Sequence, residues 1–307
     1  MDLRNSMTRR TWFHSTSCST AYFLLSGLGG ERCMAASQKK PLYKISCTEY
    51  SLHRMLAKGD LDNLDYAPFV RREFSLRAVE YWNAPFRDKA EDERYLAEMR
   101  SRAEDAGVEG TVILVDGEGH LGNPDATRRN EAVDRHKKWV TCAARLGCHS
   151  IRVNAHSSGS YDEQLRLATD GLAKLSAFAA PVKINVLVEN HGGLSSDGDW
   201  LARVMKRVDK TNCGTLPDFG NFGDYNRYLG VKQLMPYAKC VSAKSHNFDA
   251  AGNETGTDYL RMMKIVVAAG YHGYVGIEYE GSQLTEVEGV KATQRLLERV
   301  RNKLAIT

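Results

Sequence analysis

From residue 41 onward, short runs of β-branched and other apolar residues alternate with longer stretches in which apolar positions recur every three or four residues. Strands buried on both faces read as near-continuous apolar runs, whereas a helix on their outside needs only one apolar stripe. The pattern therefore predicts eight strands, over residues 43–47, 78–81, 111–115, 150–154, 185–189, 214–218, 240–244 and 274–278, each followed by a helical stretch. Strands alternating with helices imply parallel βαβ units rather than a sandwich. Residues 127–146 show the helical logic. Ala132, His136, Trp139, Val140, Ala143 and Ala144 share one side, and Arg128, Arg129, Asp134 and Lys138 occupy the other. Gly147 then stops the helix, as Gly107 and Gly270 do after theirs. Eight such units in about 265 residues predict a single-domain, closed (β/α)8 TIM barrel of α/β class. An open doubly wound sheet would use fewer strands.

The residues before the barrel carry a different pattern. Arg9 and Arg10, a modestly apolar stretch over residues 22–28, and Ala35 and Ala36 follow the order of an export signal. The run from Thr8 to Phe13 resembles the twin-arginine signature. Residues 1–39 are thus expected to be a twin-arginine-type export signal and leader, with residues 40–307 as the barrel and a periplasmic or exported location. A disordered basic tail on a cytoplasmic protein is the alternative. The apolar stretch is too short to span a bilayer, so the mature form is expected to be free of the membrane.

Charge changes the picture little. Of the net +4, the first 36 residues contribute +2 through Arg4, Arg9, Arg10 and Arg32 against Asp2 and Glu31. No basic stripe follows residue 40, which argues against a nucleic-acid partner. With 42% apolar and 26% charged residues, the chain has the composition of a globular protein with a sizeable core. Cys18, Cys33, Cys47, Cys142, Cys148, Cys213 and Cys240 form no CxxC pair and read as small buried hydrophobes.

Catalytic groups of such barrels sit where strands end. Strand five ends in Val188-Glu189-Asn190-His191, strand six in Pro217-Asp218-Phe219 and strand eight in Ile277-Glu278-Tyr279. Three carboxylates at one mouth repel each other and take up protons unless a cation neutralises them. Their oxygen donors suit Mn²⁺, Mg²⁺ or Co²⁺ more than a thiolate-bound structural zinc, with Zn²⁺ as a further option. The other reading pairs each acid with a neighbouring Arg or Lys.

Three segments, VLVENHGG, GTLPDFGNF and GYVGIEYEG, resemble the xylose isomerase-like TIM barrel superfamily and, within it, the sugar phosphate isomerase/epimerase family. The resemblance covers residues 41–307. It implies one divalent metal ion held by Glu189, Asp218, Glu278 and a histidine from strand seven. Members often read His-x-Lys-Asp on that strand; here Ser242 stands in the histidine position, followed by Ala243, Lys244, Ser245 and His246. Because strand side chains alternate, His246 could face the same way as Ser242 and supply the imidazole from one step further out; the other reading is a solvent-exposed loop histidine. Asn221 stands where the sugar epimerases commonly carry histidine.

The resemblance implies an isomerase or epimerase of a sugar, sugar phosphate or related polyol ketone, working through a metal-stabilised enediolate with Glu189 and Glu278 transferring the proton. Arg152, His191, Asn221 and Lys244 are the expected substrate-binding residues. Arg152 could also brace Glu189, and Lys244 could pair with Glu280. Asp116, Glu118 and His120, after strand three, are further candidates for the mouth. The alternatives from other classes are an endonuclease IV-like metal-dependent DNA phosphodiesterase and a non-catalytic sugar-binding barrel. A small carbohydrate is the expected partner, and assembly into a homo-oligomer is left open.

Overall fold

The computed structural model describes residues 41–306, which lie within one compact unit, Lys40–Thr307. The export signal expected over 1–39 lies outside the described residues. Eight parallel strands run β1 (Lys44–Thr48), β2 (Ala78–Trp82), β3 (Glu109–Leu114), β4 (Ser150–Val153), β5 (Asn185–Glu189), β6 (Cys213–Leu216), β7 (Val241–Ser245) and β8 (Tyr274–Tyr279). Their order is β6-β5-β4-β3-β2-β1-β8-β7, so every strand pairs with its sequence neighbours except at β6 and β7, and β8 returns to β1. Nine α-helices are present among the described residues: α1 (His53–Lys58), α2 (Tyr66–Phe74), α3 (Glu93–Asp105), α4 (Ala126–Leu146), α5 (Tyr161–Ala179), α6 (Gly198–Val208), α7 (Arg227–Leu234), α8 (Tyr259–Ala268) and α9 (Glu286–Ala305). None is long and apolar enough to cross a membrane.

The expected closure is modified at one seam. Regular pairing is open between β6 and β7, where two isolated parallel bridges, Thr215 with Ala238 and Asp218 with Ser242, replace a ladder. Pro217 accounts for the interruption, because it has no N–H to donate. Its carbonyl still accepts from Ser242 N, and Phe219 N donates to Ser242 O. The sixth strand accordingly stops at Leu216, short of the predicted Asp218. Asp218 sits on the chain just after the strand.

The core lies chiefly between the sheet and its helices, with Trp139 of α4 and Trp200 of α6 fully buried. Inside the sheet, Val112, Leu114, Leu187, Leu216 and Cys240 form a second, small apolar plug. Helix starts follow local chemistry. Ser160 and Thr285 form capping boxes with Glu163 and Glu288 at the heads of α5 and α9. Gly147, at φ 75°, ends α4 in the left-handed conformation that the sequence predicts. The outer face of α4 departs from its pattern. Arg129 is buried, with Nε 2.7 Å from Asp170 on α5, because its long stem reaches across to the neighbouring helix. Ala144, expected inside, is exposed. Cys47, Cys142, Cys148, Cys213 and Cys240 are all buried free thiols, as their composition suggests.

Candidate metal centre and active site

Strand parity brings the site together. On β5, Leu187 points into the barrel plug and Glu189, two residues on, points into the mouth above it. The same alternation lifts Arg152 from β4, Ser242 and Lys244 from β7, and Glu278 from β8, all of them buried. Gly276 on β8 is required by the layer below. A Cβ there would collide with the carboxylate of Glu80, which instead accepts hydrogen bonds from Ser46 and Thr48 at 2.7 and 2.8 Å.

Carboxylate oxygens of Glu189, Asp218 and Glu278 lie within 4.8 Å of one another, and all three residues are buried. Ser242 joins two of them, its Oγ 2.7 Å from both Asp218 Oδ2 and Glu278 Oε2. A hydroxyl has one proton and donates to one carboxylate at a time, so the other contact needs a proton on the acid or a cation shared by the group. Asn221 ties the remaining pair: its backbone N–H donates to Asp218 Oδ1 at 2.8 Å and its side-chain amide donates to Glu189 Oε1 at 3.0 Å. Its amide is therefore engaged with an acid of the cluster, where a substrate contact was expected.

Two fixed cations flank the acids. Arg152 Nη1 donates to Asp116 Oδ1 at 2.8 Å. Its Nε lies 2.8 Å from Glu189 Oε2, yet the N–H is not directed at that oxygen. The contact is thus electrostatic, and Glu189 Oε2 is a buried acceptor without a donor. Of the two roles weighed for Arg152, the brace on Glu189 is the one seen. Lys244 Nζ lies 2.9 Å from Glu280 Oε1 and 3.5 Å from Glu278 Oε1, so the ion pair with Glu280 forms as well.

The acids are not equivalent. Burial pushes Glu189 up to about 8; Arg152 opposes this, while Glu278 and Asp218 reinforce it. Asp218 is raised to about 6, by burial first and against Lys244. Burial also works against ionising Glu278, but Lys244, the Ser242 hydroxyl and Arg152 outweigh it and hold that carboxyl below its ordinary range. An orphaned buried oxygen, a spacing that one ion can bridge and an all-oxygen donor set fit a hard divalent cation.

His246 does not join the cluster. β7 ends at Ser245, whose carbonyl accepts from Glu280 N, and the alternation that would have turned His246 inward ends with the strand. The side chain of His246 is exposed, and its backbone N–H faces Glu254 Oε1 at 3.4 Å. His191 does reach the mouth. Its ring lies 6.4 Å from that of His156, which is 5.4 Å from His120, and these rings line a cavity of about 460 Å³ with Asp116 and Asn154. Burial, followed by Arg152 and Lys244, holds His191 below its usual range. Glu118 faces Trp139 Nε1 and Lys138 at 2.9 and 3.0 Å.

Several residues of the mouth were not singled out from sequence. Tyr50 follows β1, Trp82 ends β2, and Asn154 and His156 follow β4. Trp82 Nε1 donates to Asp116 Oδ2 at 3.2 Å, and Asn154 Nδ2 donates to Asp116 Oδ1 at 2.8 Å. The signal that would have found them is the one that found Glu189: position at a strand's carboxyl end.

The sequence profile of one family, described as the xylose isomerase-like TIM barrel, matches residues 72–302. The chain belongs to this family. Solved structures of the same fold include a 3-keto-D-glucoside 4-epimerase, YcjR, from E. coli, with a TM-score of 0.63 and 16% identity over 77% of this chain and 94% of that one. An IolI protein with a bound zinc atom gives a TM-score of 0.69 at 14% identity, over 85% and 98% of the two chains. A D-psicose 3-epimerase from Clostridium cellulolyticum H10, solved with D-tagatose, gives 0.65 at 12% identity over 84% and 98%. These likenesses establish the fold. A sequence search of curated proteins finds no match.

Proposed function

We propose that this protein is a divalent-metal-dependent isomerase or epimerase of a sugar or related polyol ketone, moving a proton on the carbon next to a carbonyl. The observation that carries this reading is the convergence of three buried carboxylates from β5, the segment after β6, and β8, with Glu278 and Glu189 driven in opposite directions. Sugar epimerases among the proteins of the same fold support the reaction class.

Glu189, Asp218 and Glu278 would hold the ion. When bound, a divalent cation supplies electrostatic stabilisation for negative charge developing on the substrate's carbonyl oxygen. Glu278, kept ionised by Lys244, Ser242 and Arg152, takes the proton from carbon. Glu189, the carboxyl with the higher proton affinity, starts protonated and returns its own proton, and exchange with solvent resets both acids. Groups whose environments push their affinities apart divide the acid and base work in this way. Asn221 and Arg152 hold Glu189 in place, and His191 stands beside the substrate space. Return on the opposite face gives epimerisation, whereas return to the neighbouring carbon gives aldose–ketose isomerisation.

The test is solvent deuterium incorporation into a panel of ketoses and keto-glycosides, with elemental analysis of the purified protein. Exchange at one carbon, dependent on added Mn²⁺ or Co²⁺, is expected. Sugar binding with neither metal nor exchange would make the protein a non-catalytic barrel and end this reading.

A further inference from the structure

We propose that a cavity behind Tyr50 and Trp82 is a subsite for a second ring, so that the substrate is a glycoside rather than a free monosaccharide. This deepens the reaction proposed above and rests on it for the placement of the reacting sugar. The cavity, about 570 Å³, opens between the β1 and β2 ends and α1. Ligand sites of roughly 300–1,000 Å³ hold molecules larger than one sugar ring.

Its wall is built from three rings in fixed contact. Tyr50 stacks on His53 with centroids 4.6 Å apart and planes 14° apart, and it meets Trp82 edge to face at 5.0 Å. His53 Nδ1 is anchored on Tyr50 O at 2.7 Å, and Trp82 Nε1 on Asp116. Such a wall is rigid before any ligand arrives. Aromatic faces suit the C–H face of a pyranose or a flat aglycone alike, while Tyr and Trp keep a polar edge for the hydroxyls. Tyr95 and Asp62 line the same cavity. The Tyr95 hydroxyl donates to Asn63 Oδ1, so its oxygen remains an acceptor, and Asp62 accepts through Oδ1 from Leu64 N.

Tyr50, just after β1, and Trp82, at the end of β2, stand at strand ends that bound the catalytic mouth, so the cavity lies beside it. The Tyr50 phenol is held above its usual range by burial first, then by Glu280, with Lys244 opposing and Glu278 and Asp116 adding, so it stands in the field of the acid cluster. Trp82 reaches Glu189 through Asp116 and Arg152. A sugar over the carboxylates would therefore direct its substituent across these two side chains into the cavity.

The experiment uses probes that lack a ketone, and its arm with chelator reads binding without metal-dependent turnover. Saturation-transfer NMR on the full chain would compare glucose, cellobiose and 4-nitrophenyl glucoside, with Mn²⁺ and with chelator. Cellobiose or the aryl glucoside should bind about tenfold more tightly than glucose, the scale of one or two ring contacts. A gain for both supports a general second-ring site, and a gain for the aryl compound alone identifies the ring as a flat aglycone. Ala57→Trp, which fills the cavity from exposed α1, should bring the probes within about twofold and leave glucose unchanged. Trp82→Ala should reduce the preference too. Equal affinity for all three in the wild type, or a preference that survives Ala57→Trp, overturns the proposal. Second-ring preference without deuterium exchange would remove the reaction and leave the subsite; exchange without preference would do the reverse.

Discussion

The two sides of the barrel mouth are built from different chemistry. The side from β5 to β8 is a cluster of acids, Glu189, Asp218, Glu278 and Glu280, threaded by Ser242, Asn221 and Lys244. The side from β1 to β4 is aromatic and imidazole-rich, with Tyr50, His53, Trp82, His120 and His156 around Asp116. Arg152 spans the two, contacting Asp116 on one and Glu189 on the other. A concentration of like charge is costly in a buried site and persists where a cation or proton transfer uses it. Aromatic walls carry no such cost and suit recognition by shape. In the function proposed above, proton transfer and ion binding belong to the first side and substrate selection to the second.

The largest effect should come from Glu278→Gln, which removes the ionised acid of the first side. Turnover is expected to fall by about 10²–10⁴-fold, the usual worth of a positioned acid–base group. Steady-state rates under excess Mn²⁺ are the check; full recovery would make Glu278 a ligand and nothing more.

Arg152→Met breaks the link between the sides and leaves Glu189 buried without its cation. Removing one partner of a buried pair costs about 3–5 kcal/mol. The loss should be larger near about pH 9 than near about pH 5.5, where Glu189 carries a proton and needs no cation, while the share that falls on Asp116 is the same at both. Urea unfolding at both values would decide it, and equal losses would mean that Glu189 is not the group concerned.

Asp218→Asn should weaken Mn²⁺ binding by about 10- to 100-fold or more, as seen by competition with a chelator. In the metal-free wild type, the folded-state values of Glu189 and Asp218 lie near 8 and 6, above those of an unfolded chain. The folded state therefore holds more protons, and the stability these groups contribute is lost as pH rises from the ordinary carboxylate range through those values. Added Mn²⁺ relieves that penalty, so its increase of Tm should be greater near about pH 8 than near about pH 5.5, with proton release visible by calorimetry in several buffers. A pH-independent increase would contradict the assignment.

The smallest effect is expected from His246→Ala. The side chain lies outside the acid cluster and is exposed, so metal affinity and turnover should stay within about twofold of wild type. A tenfold loss of metal would show that the strand-end loop rearranges to bring the imidazole in.

Periodicity along the chain was sufficient for the alternation of eight strands and their helices, because each element's apolar stripe is a local property of spacing. It was sufficient also for Glu189, Asp218 and Glu278 as a group, since strand ends in a parallel barrel share one face and an acid at a strand end is visible in one dimension. Distance and direction were not. Only the tertiary structure put the Ser242 hydroxyl between two carboxylates, engaged the Asn221 amide with Glu189, and directed Arg152 to Asp116 and Glu189 at once. Strand alternation predicts a side chain's direction only while the strand lasts, and β7 ends one residue before His246. Pro217 likewise ended the sixth strand early and opened its pairing with β7, an effect that depends on which groups the neighbouring strand offers. Tyr50, His53 and Trp82 are unremarkable apart in sequence; they form a wall because β1 and β2 are neighbours in the sheet and His53, at the start of α1, stacks on Tyr50.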